Sequence, residues 1–219
     1  MQAAHRAILL SVASFALLGL ATSVRAQDAM PHQSIATAAL VTQVCAACHG
    51  ADGNSTRPEV PSLAGQGAQY LQRQLHAFAA QGGQRANGVM GAIAVNLSAD
   101  EMKRLAVYFA HQRLHPAVPS LRPGAVSRGD PDRGERIFFS GLPAQGVASC
   151  ASCHGTRGEG LPDLFPSLAG QGERYIAEQL RQFRAGTRTS DPRAMMRSLA
   201  GHLTDRDIDV VSTYVARLR

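Results

Sequence analysis

A motif spelled Cys45-Ala-Ala-Cys48-His49-Gly50 recurs as Cys150-Ala-Ser-Cys153-His154-Gly155, 105 positions later. Pro61-Ser-Leu-Ala-Gly-Gln66 returns letter for letter from Pro166 to Gln171 at the same spacing, and Tyr70, Gln74, Leu75 and Phe78 return as Tyr175, Gln179, Leu180 and Phe183. Toward the end of each copy the spacing is 106: Leu97 with Leu203, Ser98 with Thr204, Tyr108 with Tyr214. One inserted residue between Phe183 and Leu203 accounts for the change. Self-similarity of this kind means one small domain built twice, each copy about 90 residues. The copies are expected at 27–115 and 132–219. Between them, 116–131 carries Pro116, Pro119, Pro123, Gly124, Gly129 and Pro131, the composition of a semi-rigid linker.

Each copy reads as all-α. Ser98-x-x-Glu101 is a capping box with Leu97 and Met102 as its hydrophobic staple, and Thr204-x-x-Asp207 with Leu203 and Ile208 repeats the design. Final helices are expected over about 99–112 and 205–218. Apolar spacing predicts middle helices over about 68–81, stopped by Gly82-Gly83, and over about 173–185, stopped by Gly186. Helices over about 35–45 and 133–140 should lead toward the two Cys pairs. No segment reads convincingly as a strand.

The leader sets the expected compartment. His5 and Arg6 precede Ala7–Ala21, a run without charge, and Val24-Arg25-Ala26 fits a small-residue cleavage site before Gln27. Residues 1–26 read as a secretory signal, since the run is short of the ~20 residues a spanning helix needs. Export to the bacterial periplasm is expected, and peripheral membrane association is compatible with it. Removing Arg6 and Arg25 leaves 20 basic and 16 acidic residues, all but Lys103 of the bases being Arg. That balance is too weak and too evenly mixed to argue for nucleic acid.

The four cysteines allow a zinc site, redox dithiols or disulfides. Each second Cys, however, is followed at once by His, and Cys-x-x-Cys-His is the pattern of c-type haem attachment. Two thiols add across the haem vinyl groups as thioethers, and the next residue reaches the iron. Cys45, Cys48, Cys150 and Cys153 are thus the candidate attachment points for two covalent haems, with His49 and His154 as proximal iron ligands. Domains this small, with few aromatics, gain apolar bulk from a buried porphyrin, so the apo-protein is expected to fold poorly.

The opposite iron ligand should also repeat. Met90 lies seven residues before Leu97, and Met196 lies seven before Leu203, whereas Met195 keeps the earlier spacing of 105. The segment from ligand to staple enters the last helix, so Met196 is preferred, with Met90 as its partner in copy one. Met102 reads as core filling. His76, His111, His115 and His202 do not recur, which argues against each as a ligand. Pro61 and Pro166, each 12 residues after their His, offer a carbonyl that could hold the imidazole Nδ1–H and aim Nε2 at iron; an ordinary turn would use the same residue. Tyr70 and Tyr175 are candidates either for donation to haem propionates or for packing.

The doubled Cys-x-x-Cys-His-Gly, the doubled Pro-Ser-Leu-Ala-Gly-Gln and the Met-to-Leu spacing resemble the diheme cytochrome c4 family, two class I cytochrome c domains in tandem. The resemblance covers essentially the whole chain after the leader. It implies His/Met haems, domains facing through their haem edges across a pseudo-twofold interface, and electron transfer from a quinol:cytochrome c oxidoreductase toward a terminal oxidase. One departure stands out. Copy two has Gly134 and Phe138, which the family pairs in its first helix, whereas copy one has Ala38 and Ala39 around that position.

Carriage of single electrons, without catalysis or a small-molecule substrate, is the expected function. Met ligation raises the potential, and two filled axial positions leave no site open for a substrate. The alternatives are a haem subunit of a periplasmic dehydrogenase, a diheme peroxidase, which would need one open iron position, or a haem-based sensor. The weak net charge predicts mainly apolar docking patches around the haem edges. An Arg-rich face including Arg181, Arg184 and Arg188 is the competing expectation.

Overall fold

The computed structural model describes residues 36–80, 85, 88–115, 131–161 and 164–218. The leader, the Gly82-Gly83 stop and all of the linker but Pro131 lie outside them. Copy one contains α1 (36–49), α2 (Ala68–Ala79), α3 (Gly88–Ala94) and α4 (Ala99–Ala110). Copy two contains α5 (Pro131–Ser140), α6 (Ala151–His154), α7 (Glu173–Ala185), α8 (Met195–Ala200) and α9 (Asp205–Val215). Among the described residues there is no strand, only isolated backbone bridges. None of these helices is long and apolar enough to cross a membrane.

Both capping boxes form. Ser98 N donates to Glu101 Oε2 at 2.8 Å and Ser98 Oγ accepts from Glu101 N at 3.3 Å. Thr204 N donates to Asp207 Oδ2 at 3.1 Å, and Thr204 Oγ1 accepts from Asp207 N at 3.2 Å. The staple residues Met102, Leu203 and Ile208 are buried. The last helices stop a turn or less short of expectation, at Ala110 and Val215.

Each core lies where the first helix of a copy crosses its last. In copy one Val41 packs with Leu71, Leu105, Ala106 and Phe109. In copy two Ile137 and Phe138 pack with Ile176, Val211 and Val215. Gly134 lets α5 touch the α9 backbone, because a Cβ there would stand 2.3 Å from the Val210 carbonyl oxygen. The copies differ in how they reach the first Cys. In copy one α1 passes through a π-helical stretch, Val41–Cys45, straight into Ala46–His49. In copy two Gly141, at φ 68°, ends the helix, and a loop with a 3₁₀ turn at Pro143–Gln145 intervenes. Val41 is the buried residue that α1 gives to its core where α5 gives Ile137 and Phe138, and Thr37, one turn before Val41, is buried as well.

Candidate functional site

Each Cys-x-x-Cys-His ends in one helical turn, Ala46–His49 and Ala151–His154. The glycine that follows is required by geometry: Gly50 has φ 79° and Gly155 φ 80°, and a Cβ on Gly50 would lie 2.7 Å from Asn54 O. None of the four cysteines is in a disulfide, and each residue is partly exposed. Burial pushes the Cys45 thiol up and the Cys150 thiol to about 11. Arg57 Nη1 lies 3.8 Å from Cys48 Sγ.

The imidazoles are held as the sequence suggested. His49 Nδ1 is 2.9 Å from Pro61 O, and His154 Nδ1 is 2.8 Å from Pro166 O. A carbonyl only accepts, so Nδ1 carries the proton and Nε2 presents its lone pair. Both rings are buried; burial lowers their pKa, more than the carbonyl bond raises it. A buried neutral imidazole with an oriented Nε2 is the form that binds a metal.

The two proline segments are gripped across the domain boundary. Gln171 Oε1 accepts from Ser62 N at 3.1 Å, and Gln171 Nε2 donates to Ser62 O at 2.8 Å. Gln66 does the same to Ser167, at 2.9 Å for both bonds. Residue i holding j' while i' holds j is the signature of a pseudo-twofold interface. The letter-for-letter Pro-Ser-Leu-Ala-Gly-Gln repeat is explained by it: each segment orients its own His and clamps its twin.

A second layer surrounds Tyr70 and Tyr175. Arg85 donates to Gln74 Oε1 (3.2 Å), Tyr175 OH (3.2 Å) and Gln179 Oε1 (2.5 Å). Arg188 donates to Gln179 Oε1 (2.7 Å), Tyr70 OH (3.0 Å) and Gln74 Oε1 (3.1 Å). Arg188 is buried, which removes it from the surface patch considered above. Arg85 and Arg188 are equivalent although 103 positions apart. The single expected insertion is therefore two residues lost before Arg188 and three gained after it. That shift hid Arg85 from a search at 105 or 106, while the recurrence of Tyr70 and Gln74 was the signal pointing to the network.

The methionine segments follow. Met90 sits in α3, and Met195 and Met196 open α8. Met90 and Met196 each precede by four residues an alanine with 0% exposure, Ala94 and Ala200. The turn before α8 holds Arg193 and Ala194 at φ 56° and 57°, and Asp191 ties it to α8 by accepting from Arg197 N (3.0 Å) and Nε (2.8 Å).

Two copies of an all-α domain, each with an oriented buried His behind two free thiols, define a tandem c-type cytochrome. The cytochrome c family model matches residues 35–112 and again 131–219. Cytochrome c4 of Pseudomonas aeruginosa is 41% identical over 177 residues, 80% of this chain and 84% of that protein. The thiosulfate dehydrogenase electron acceptor of Thiomonas intermedia is 36% identical over 174 residues, 78% of this chain and 77% of that protein. The crystal structure of reduced recombinant cytochrome c4 from Pseudomonas stutzeri superposes with a TM-score of 0.75 at 36% identity, covering 84% of this chain and 98% of that one. The chain belongs to the cytochrome c4 family and carries two covalently bound haems c. The residues present fit that group: two thiol pairs without a disulfide, each beside an imidazole whose Nε2 bears no proton.

Proposed function

We propose that the chain is a periplasmic carrier of single electrons, exported by residues 1–26, whose haems are attached through Cys45/Cys48 and Cys150/Cys153 and ligated by His49 with Met90 and by His154 with Met196. The haem iron supplies the one-electron couple. Everything else is supplied by the chain. The Pro61 and Pro166 carbonyls fix the imidazole tautomer, and the interface clamps keep those carbonyls in place. The observation that carries the reading is the His–Pro geometry, found in both copies. The shared register of Met90 and Met196 against Ala94 and Ala200 supports the methionine pair. Haems held by His49 with Met90 and by His154 with Met196 would leave no iron position open for peroxidase chemistry.

The partners are redox proteins, with a quinol:cytochrome c oxidoreductase as donor and a terminal oxidase as acceptor. A second reading, service to a periplasmic dehydrogenase, is favoured by the relative named as an electron acceptor of thiosulfate dehydrogenase. Docking is mainly apolar. Val44, Val89 and Val95 are exposed in copy one near the Cys pair and Met90, and Phe139, Leu161 and Leu164 in copy two. Arg181 and Arg184 are neutralised by Asp209 and Asp205 at 2.5 Å.

The purified holoprotein tests this. Two covalent haems per chain and a near-infrared sulfur-to-iron charge-transfer band from both are expected. One haem per chain, or a bis-histidine spectrum, overturns the assignment. Stopped-flow oxidation against a panel of purified oxidases and dehydrogenases separates the two partner readings.

A further inference from the structure

The second methionine segment is closed into a ring. The Asp191 side chain is only 3% exposed, and both of its oxygens bond to one residue: Oδ2 accepts from Arg197 N at 3.0 Å and Oδ1 from Arg197 Nε at 2.8 Å. The Asp191 carbonyl accepts from Ala194 N at 3.2 Å. The ring so closed runs from Asp191 to Arg197 and contains both Met195 and Met196. Within it Arg193 and Ala194 stand consecutively at φ 56° and 57°, the only non-glycine residues at positive φ among the described residues. Residues with a Cβ disfavour that conformation and keep it where surrounding bonds fix it. Here Asp191 provides those bonds. A buried carboxylate is costly unless paired, and the Arg197 guanidinium pairs it through a charge-assisted bond.

Copy one has neither partner. With Met90 matched to Met196, Gly91 stands where Arg197 stands and has no side chain to donate. Seven residues separate Arg188 from Met196, whereas four, Ala86-Asn87-Gly88-Val89, separate Arg85 from Met90, and none of the four is acidic. The three residues gained in copy two thus supply the length for the turn and the acid that ties it.

We propose that Asp191 is a positioning residue for the Met196 ligand: its ring with Arg197 holds the entry to α8 closed, so that copy two keeps its methionine against a competing ligand more firmly than copy one keeps Met90. The inference rests on the Met90 and Met196 reading above. A methionine is displaced only if its backbone segment swings away. At α8 that swing breaks two bonds to a charged group and strands a buried carboxylate. The segment before α3 has no counterpart of that pair. Asp191 acts on Met196 through Arg197, the next residue along the chain.

The near-infrared methionine band of the holoprotein reads each domain in turn. With Met90→Ala the band that remains belongs to copy two, and with Met196→Ala it belongs to copy one. Both proteins are titrated with imidazole, which competes with methionine for ferric iron. The copy-two band is expected to need about tenfold more imidazole for half-loss. Asp191→Ala added to Met90→Ala should remove that difference, and added to Met196→Ala it should leave the copy-one titration unchanged. Arg197→Ala keeps the backbone bond and should give a smaller loss of resistance, about threefold. Equal titrations in the first comparison, or a copy-one band equally sensitive to Asp191→Ala, overturn the proposal. Asp191 also acts on Arg188 through space. An effect of Asp191→Ala that Arg197→Ala does not share at all would therefore lie at Arg188, and it too overturns the ring. Should Asp191→Ala fail to accumulate, hydrogen exchange in the unmutated holoprotein decides. Corrected for intrinsic rates, the Arg197 amide is expected to exchange about tenfold more slowly than that of Gly91, and equal rates overturn the idea. A full-intensity band surviving in Met196→Ala would strike the ligand reading and the proposal with it, whereas equal titrations of correctly assigned bands strike the proposal alone.

Discussion

Gln171 holds both backbone polar groups of Ser62, the residue after the proline whose carbonyl holds His49. A side chain of the second domain thus supports the imidazole of the first, and Gln66 repays the support through Ser167 and Pro166. Neither His is oriented by its own domain alone.

Gln171→Ala leaves the buried Ser62 amide without its partner. The expected cost is about 1–3 kcal/mol, read as a lower denaturant midpoint for the holoprotein. Combining it with Gln66→Ala should let the domains separate, seen as a larger radius of gyration in solution scattering. An unchanged radius in the double variant would mean that the arginine–tyrosine layer suffices to hold the domains together.

Met196→Ala should abolish one of the two near-infrared methionine bands, and Met195→Ala should keep both. Loss of the band in Met195→Ala alone would reverse the register inferred from Ala200. In either case the Met90 band stays.

Asp207 is the carboxylate through which low pH should act. Burial pushes its pKa up, but hydrogen bonds from Thr204 and the guanidinium of Arg133 outweigh that, leaving it below 3.8. Arg133 Nη2 is 2.6 Å and Nε 2.9 Å from Asp207 Oδ1. A folded-state pKa below the unfolded value stabilises fully above the unfolded value, and the gain is lost as pH falls through the folded one. Asp207→Asn should therefore cost about 1–3 kcal/mol at neutral pH, with the gap to wild type closing below about pH 4. A gap that does not narrow at all as the pH falls would assign the role to shape and not to charge.

Gly134→Ala drives a methyl group into the α9 backbone at Val210 and should destabilise copy two by about 1–3 kcal/mol, measured by thermal unfolding. A neutral Gly134→Ala would mean that α5 slides along α9 at little cost.

Electron transfer to an isolated oxidase should slow only slightly as salt shortens the Debye length below ~10 Å. Arg181 and Arg184 are already paired, so replacing both with Gln should leave the salt slope unchanged. A steep slope that the double replacement abolishes would restore the basic face.

The parts of this protein legible from its sequence are those whose physics is local. Cys-x-x-Cys-His-Gly sets thiols, imidazole and a positive-φ glycine within one helical turn, and a capping box spans four residues, so neither depends on distant chain. Pro61 and Pro166 were legible as acceptors because a fixed spacing from His recurred with them. The interface was not. Gln66 reads only as a repeated letter, because its partner lies on the opposite domain, about a hundred positions away. Arg85 has no arginine at a spacing of 105 or 106. The exchange of two lost residues for three gained preserved a net change of one and so concealed the match with Arg188. Burial alone distinguishes that arginine from Arg181 and Arg184, and burial is decided by which faces of the two domains meet. Hydrogen bonds that close only when two folded surfaces dock leave no periodicity in either strand of sequence, and here those bonds hold the imidazoles in place.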